Sequence, residues 1–173
     1  MKRRFLHTAW LLMVAAMVTS CGEKRQTTEF PDWAWADFQR PENTNPIVSP
    51  DTTNLFYCPM RQDSVAWEAG DTFNPAATIY DGKVVVLYRA EDNSAVGIGS
   101  RTSRLGYAYS DDGLHFNRMP VPVFYPTDDS QKELEWPGGC EDPRVAMTED
   151  GLYVMLYTQW NRKPVSYTHL RAH

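Results

Sequence analysis

Two carboxylates and an arginine fall in one short run of this chain, Glu141, Asp142 and Arg144, directly after the diglycine Gly138-Gly139. A positioned carboxylic acid can hand a proton to a departing oxygen. Glu141 is a poor second carboxylate for the same site, because adjacent strand residues point to opposite faces. Arg144, two positions on, is expected to share the face of Asp142. That geometry allows a plain alternative, a structural ion pair that lowers the aspartate's pKa. Upstream, Asn74 precedes Pro75 and Arg89 ends an apolar run. Asn offers both a donor and an acceptor, and Arg a rigid fork of donors. The plainer readings are a turn-forming Asn and a surface strand charge.

These residues sit in a repeat. Asn74 lies 68 positions before Asp142, and each is followed by proline, an Asp-Gly turn and an apolar run ending in Leu-Tyr. Gly82 thus aligns with Gly151, and Leu87-Tyr88 with Leu156-Tyr157. Such self-similarity at long period is how a propeller blade reads in sequence. Asp81-Gly82, Asp112-Gly113 and Asp150-Gly151 each separate β-branched or aromatic runs, which is a strong hairpin signal. With 12 prolines and no sustained helical period after the first residues, the chain is expected to be all-β. The predicted strand pairs are Thr78–Tyr80 with Lys83–Tyr88, Leu105–Tyr109 with Leu114–Phe116, and Val145–Met147 with Leu152–Tyr157.

Four motifs in order now carry a resemblance. FNPAA around Asn74, LYRAED over Leu87–Asp92, SRLGYAYSDDGLHF over Ser103–Phe116 and GGCEDPRV over Gly138–Val145 resemble glycoside hydrolase family 130. The likeness runs from about Trp67 to Trp160. It implies a five-bladed β-propeller that cleaves β-mannosides by an inverting phosphorolysis or hydrolysis. It also implies that Asp142 is the general acid, its proton relayed through a sugar hydroxyl, and that Asn74 and Arg89 hold the mannosyl unit. Arg144 and Arg104 are carried as further substrate-binding groups, with pairing to Asp92 the alternative for Arg104. The 51–163 region is then a partial catalytic propeller of about two blades. Its last blade edge is left uncovered, a source of marginal stability or aggregation.

Both ends read differently from this body. Lys2-Arg3-Arg4, the apolar Phe5–Val18 and Val18-Thr-Ser-Cys21 match a lipoprotein signal over residues 1–21, with Cys21 as the lipidated residue. The apolar run is short for a membrane span, so the expectation is a lipid anchor at the bacterial cell envelope. Residues 22–50 are polar and proline-spotted, as in a tether. Residues 164–173 read as a translated sequencing adapter, so the natural chain is expected to run to about Lys163.

Charge and rare residues remove several functions. Setting aside Lys2, Arg3, Arg4 and Arg171 leaves 13 basic against 22 acidic residues, which argues against nucleic-acid binding. Only His115 remains in the body, so neither a histidine metal site nor a Ser-His-Asp triad is expected. The acidic Asp128, Asp129, Glu133 and Glu135 read as a solvated loop, and no cofactor or metal is expected. Ser110–Gly113 reads as a turn, and Trp136 as packing rather than a sugar-stacking ring. Cys58 and Cys140 read as two buried thiols.

On these grounds the expected activity is β-mannoside cleavage, with hydrolysis ahead of phosphorolysis. A sugar phosphate made outside the cytoplasm is of little use to the cell. Phosphorolysis, with inorganic phosphate as co-substrate, is the alternative, and a non-catalytic glycan-binding propeller is another. The groups that would separate them are expected beyond Lys163, and the 173-residue chain alone is expected to be inactive.

Overall fold

Asp81 and Gly82 adopt φ of 50° and 71°, the doubly positive pair that a two-residue hairpin turn requires. They join β3 (Asp71–Tyr80) to β4 (Lys83–Glu91) in the register the sequence anticipates, with Tyr80 opposite Lys83. The computed structural model describes residues 38–97, 99–163 and 167–172, the last segment by its backbone alone. The signal segment and Cys21 lie outside the described residues. A leading hairpin pairs β1 (Asp51–Cys58) with β2 (Asp63–Glu68).

The larger sheet is two antiparallel meanders joined at one point. In the first, β3 and β4 are followed by β5 (Ser103–Ser110) and the two-residue β6 (Asn117–Arg118). In the second, β7 (Gly139–Met147) pairs with β8 (Tyr153–Trp160), and β8 with β9 (Tyr167–Ala172). A single parallel bridge, Ser103 to Gly139, links β5 to β7. The one described helix is the single turn α1 (Lys132–Glu135). Neither sheet closes on itself among the described residues.

The diglycine exists for that junction. Ser103 donates its backbone N–H to the Gly138 carbonyl at 2.7 Å. A Cβ on Gly139, whose φ is 117°, would lie 2.1 Å from the Ser103 carbonyl oxygen. Only glycine admits both the backbone and the close approach.

Two apolar clusters hold the meanders. Phe56, Trp67, Val86, Tyr88 and Ala108 pack the leading hairpin onto β4 and β5. Leu105, Cys140 and Tyr157 pack β5 against β7 and β8, with Phe124 edge-on to Tyr157 at 4.8 Å. Burying a Trp or Leu side chain contributes about 1.5–3 kcal/mol, so these few residues outweigh any single hydrogen bond. Cys58 and Cys140 are buried and form no disulfide.

Two strand expectations need correction. Leu114–Phe116 do not form the return strand after Asp112-Gly113. Asp112 Oδ1 accepts the backbone N–H groups of Leu114 and His115, which curls the turn and delays pairing to Asn117. Also, the backbone of Tyr167–Ala172, within the segment read as lying outside the fold, pairs along β8 from Val154 to Gln159. Main-chain groups suffice for such edge addition, because β8 otherwise presents unpaired donors and acceptors.

Candidate active site

The repeat seen in sequence becomes a repeated bulge. On β3 the ladder steps from Phe73–Arg89 to Ala76–Leu87, three residues against two. On β7 it steps from Glu141–Thr158 to Arg144–Leu156, again three against two. The residues at the two bulges are Asn74-Pro75 and Asp142-Pro143. Proline cannot donate to a ladder, so within a paired strand it is confined to such places. Asn74 and Asp142 take φ of 45° and 49°, the left-handed region that short Asx side chains tolerate.

Because β3 and β7 are neighbours, the two bulges face each other. Asn74 Nδ2 donates to Asp142 Oδ1 at 2.9 Å. Arg89, on β4 behind them, donates from Nη1 to the same oxygen at 3.2 Å. Asp142 makes both hydrogen bonds through Oδ1, and its side chain is 32% exposed against 6% for Arg89. A buried fork therefore backs an accessible carboxyl group.

Arg89 is itself held on every side. Its Nη2 meets Glu91 Oε1 at 2.6 Å and Glu141 Oε1 at 2.8 Å, and its Nε donates to Ser103 Oγ at 3.1 Å. Ser103 Oγ donates in turn to Glu141 Oε1 at 3.1 Å. The guanidinium also lies over the Phe73 ring, 4.6 Å from its centroid. Burial pushes the Glu141 carboxyl above its ordinary value. Arg89 and Ser103 pull it back, and the neighbouring Asp142 and Glu91 charges push it up again.

Three placements differ from the sequence reading. Glu141 is not on the far face: the bulge interrupts alternation, so Glu141 and Asp142 converge on one arginine. Arg144 does not pair with Asp142. The same extra residue shifts its phase, and it is exposed, with Nη1 returned to the Pro143 carbonyl at 2.7 Å. Arg104 takes the alternative open to it, the pairing with Asp92: it is 0% exposed and bonds Asp92 at 3.0 Å and the Thr102 carbonyl at 3.3 Å. Glu91 is the site residue that sequence reasoning passed over. It stands two positions after Arg89 on one strand, hence on the same face, and that spacing was the available signal.

An apolar cleft of about 570 Å³ lies between the meanders, lined by Tyr80, Leu87, Leu105, Tyr107, Phe124 and Met155. It carries none of the polar groups above. No group of residues suited to hold a metal ion occurs among the described residues.

Fold and site together define part of a β-propeller with a carboxylate–arginine centre where two blades meet. The chain belongs to glycoside hydrolase family 130. The family model, described as beta-1,4-mannooligosaccharide phosphorylase, matches residues 38–171. A 1,2-beta-oligomannan phosphorylase of Thermoanaerobacter sp. (strain X514) is 41% identical over 93 residues, 53% of this chain and 29% of that protein. A solved structure from Bacteroides thetaiotaomicron VPI-5482 is 86% identical with a TM-score of 0.80, covering 84% of this chain and 42% of that one. Another, from work on glycoside hydrolases within this family of mannoside phosphorylases that target beta-1,2 mannosidic linkages in Candida mannan, is 63% identical. Its TM-score is 0.79, with 83% of this chain and 40% of that chain covered. The chain thus spans well under half the length of these relatives.

Proposed function

We propose that the full-length protein cleaves β-mannosidic bonds of mannooligosaccharides, with Asp142 as general acid and Asn74 and Arg89 holding the mannosyl unit. The observation that carries this reading is the convergence of both bulges on one carboxyl, about a third exposed, backed by a buried arginine. Asn74 and Arg89 occupy Oδ1, which leaves Oδ2 to bear the proton and meet the sugar. Donation from a carboxyl so fixed is worth about 10²–10⁴-fold in rate. In an inverting reaction the attacking group enters from the opposite face of the sugar.

Phosphate stands first as that attacking group, because the family description and the curated relative are both phosphorylases. This reverses the order favoured from the sequence. Hydrolysis is the second reading, carried by the 63% identical relative from work on hydrolases. Two of the three relatives concern 1,2-linked mannosides, so β-1,2-mannobiose is the substrate to try first. Attachment to the cell envelope through a lipid on Cys21 is part of the proposal, supported by the Val18–Cys21 motif. Incubating the full-length protein with mannobiose, with and without inorganic phosphate, decides the acceptor. Phosphate-dependent mannose 1-phosphate supports phosphorolysis, and phosphate-independent free mannose supports hydrolysis. No turnover of any β-mannoside under either condition overturns the proposal.

A further inference from the structure

Phe73 and Glu141 occupy the same place in the two repeats, each the last paired residue before its bulge. Both touch Arg89, one through the face of its ring and the other through a carboxylate. Behind them Glu91, 0% exposed, takes the same Nη2, and Ser103 ties Arg89 Nε to Glu141. An arginine has several rotatable bonds, and a guanidinium left to itself in a rim would wander among them. Here its Nε and Nη2 edge is spoken for by protein, and its Nη1 is turned toward Asp142.

We infer that Glu141 is a positioning residue, which with Phe73, Ser103 and Glu91 clamps Arg89 so that its Nη1 edge faces Asp142 and the bound sugar. The inference rests on the reading that Arg89 holds the mannosyl unit. It assigns Glu141 no contact with the reacting atoms.

The clamp is electrostatic and therefore sensitive to pH. The charged groups facing Glu141 are Arg89 and Glu91 from β4 and Asp142 from its own strand. Ser103 faces it from β5, and β3 adds Asp71 only at one remove, paired with Arg101, which also approaches Glu91 at 3.5 Å. No charged side chain lies on β8. Burial raises the Glu141 carboxyl above its ordinary value, so its hold on Arg89 slackens as pH falls.

The test compares full-length wild type, Glu141→Gln, Glu141→Ala and Asp142→Asn on mannobiose across acidic to neutral pH. Glutamine keeps the shape and an acceptor but not the charge. At neutral pH Glu141→Gln is expected to raise KM about five- to tenfold with kcat nearly unchanged, the pattern of lost uniform binding. Glu141→Ala is expected to raise KM further. As pH falls, wild-type KM should climb toward that of Glu141→Gln, whose own KM should change less over the same range. Unchanged KM in Glu141→Gln, or a fall in kcat at constant KM, overturns the inference. A melting curve for each variant separates a loosened clamp from a misfolded chain, and a folded Glu141→Ala with wild-type KM also overturns it. Asp142→Asn keeps the two failures apart: its retention of activity sinks the general-acid reading, whatever Glu141 does.

Discussion

Arg104→Met separates a structural arginine from a substrate-binding one. Arg104 and Asp92 have side-chain exposures of 1% and 2% and meet at 3.0 Å. Burial pushes the Asp92 carboxyl up, but hydrogen bonds from Ser94 and the charge and hydrogen bond of Arg104 more than offset it, and the net direction is below 3.8. A carboxyl depressed in the fold adds stability above its unfolded pKa and loses it as pH falls through the folded value. Removing one partner of such a buried pair leaves an uncompensated charge and costs about 3–5 kcal/mol. Ser94 Oγ, the Ser94 N–H and the Thr102 N–H still donate to Asp92 Oδ1, and the Arg61 guanidinium stays 3.9 Å from Oδ2, so the lower figure applies. About 3 kcal/mol corresponds to a fall of roughly 6 °C or less in the Tm of the full-length protein, since each kcal/mol counts for fewer degrees in a longer chain. Thermal melts at neutral pH should show that drop, and adding Asp92→Asn should recover most of it, since the stranded charge is gone. Mannoside affinity of the folded Arg104→Met protein should match wild type. An unchanged Tm with affinity lost tenfold would refute this reasoning and return Arg104 to the substrate.

Two other outcomes are expected. Gly139→Ala should lower Tm sharply or leave the protein insoluble, because its Cβ would strike the Ser103 backbone at 2.1 Å in a backbone conformation alanine resists; a wild-type melt would show that β5 and β7 can part cheaply. In cells expressing the chain, a fatty-acid analogue should label wild type and not Cys21→Ser. Equal labelling of both would remove the lipid anchor, and with it the case for work outside the cytoplasm.

What the sequence disclosed follows from which rules a bulge leaves intact. Asn74 and Asp142 were paired by their place in a repeat, and a repeat survives any local kink. Arg89 was legible for the same reason, as the end of an apolar run beside a hairpin. Glu141 and Arg144 were misplaced because strict alternation was assumed across Asp142-Pro143, where the extra residue reverses the phase. The warning was in plain view: Asn-Pro and Asp-Pro recur at one point of both repeats, and proline inside a strand run marks a bulge. Arg104 and Glu91 are both fully buried, each against a partner of opposite charge, and burial of one charge against another depends on tertiary contacts that no local pattern reports. The short β6 was missed because Asp112 competes for backbone donors that the expected strand would have used.

The central claim is that Asp142 supplies the proton while Asn74 and Arg89 supply the grip. The most direct measurement is kcat for β-1,2-mannobiose with full-length wild type and Asp142→Asn, alongside the Kd of each for the sugar by calorimetry. The amide keeps the shape and the Oδ1 acceptor but has no proton to give. The account predicts kcat lower by about 10²–10⁴-fold with Kd held within a few-fold. Activity within a few-fold of wild type would contradict it, and would leave Asp142 as no more than an ion-pair partner of Arg89.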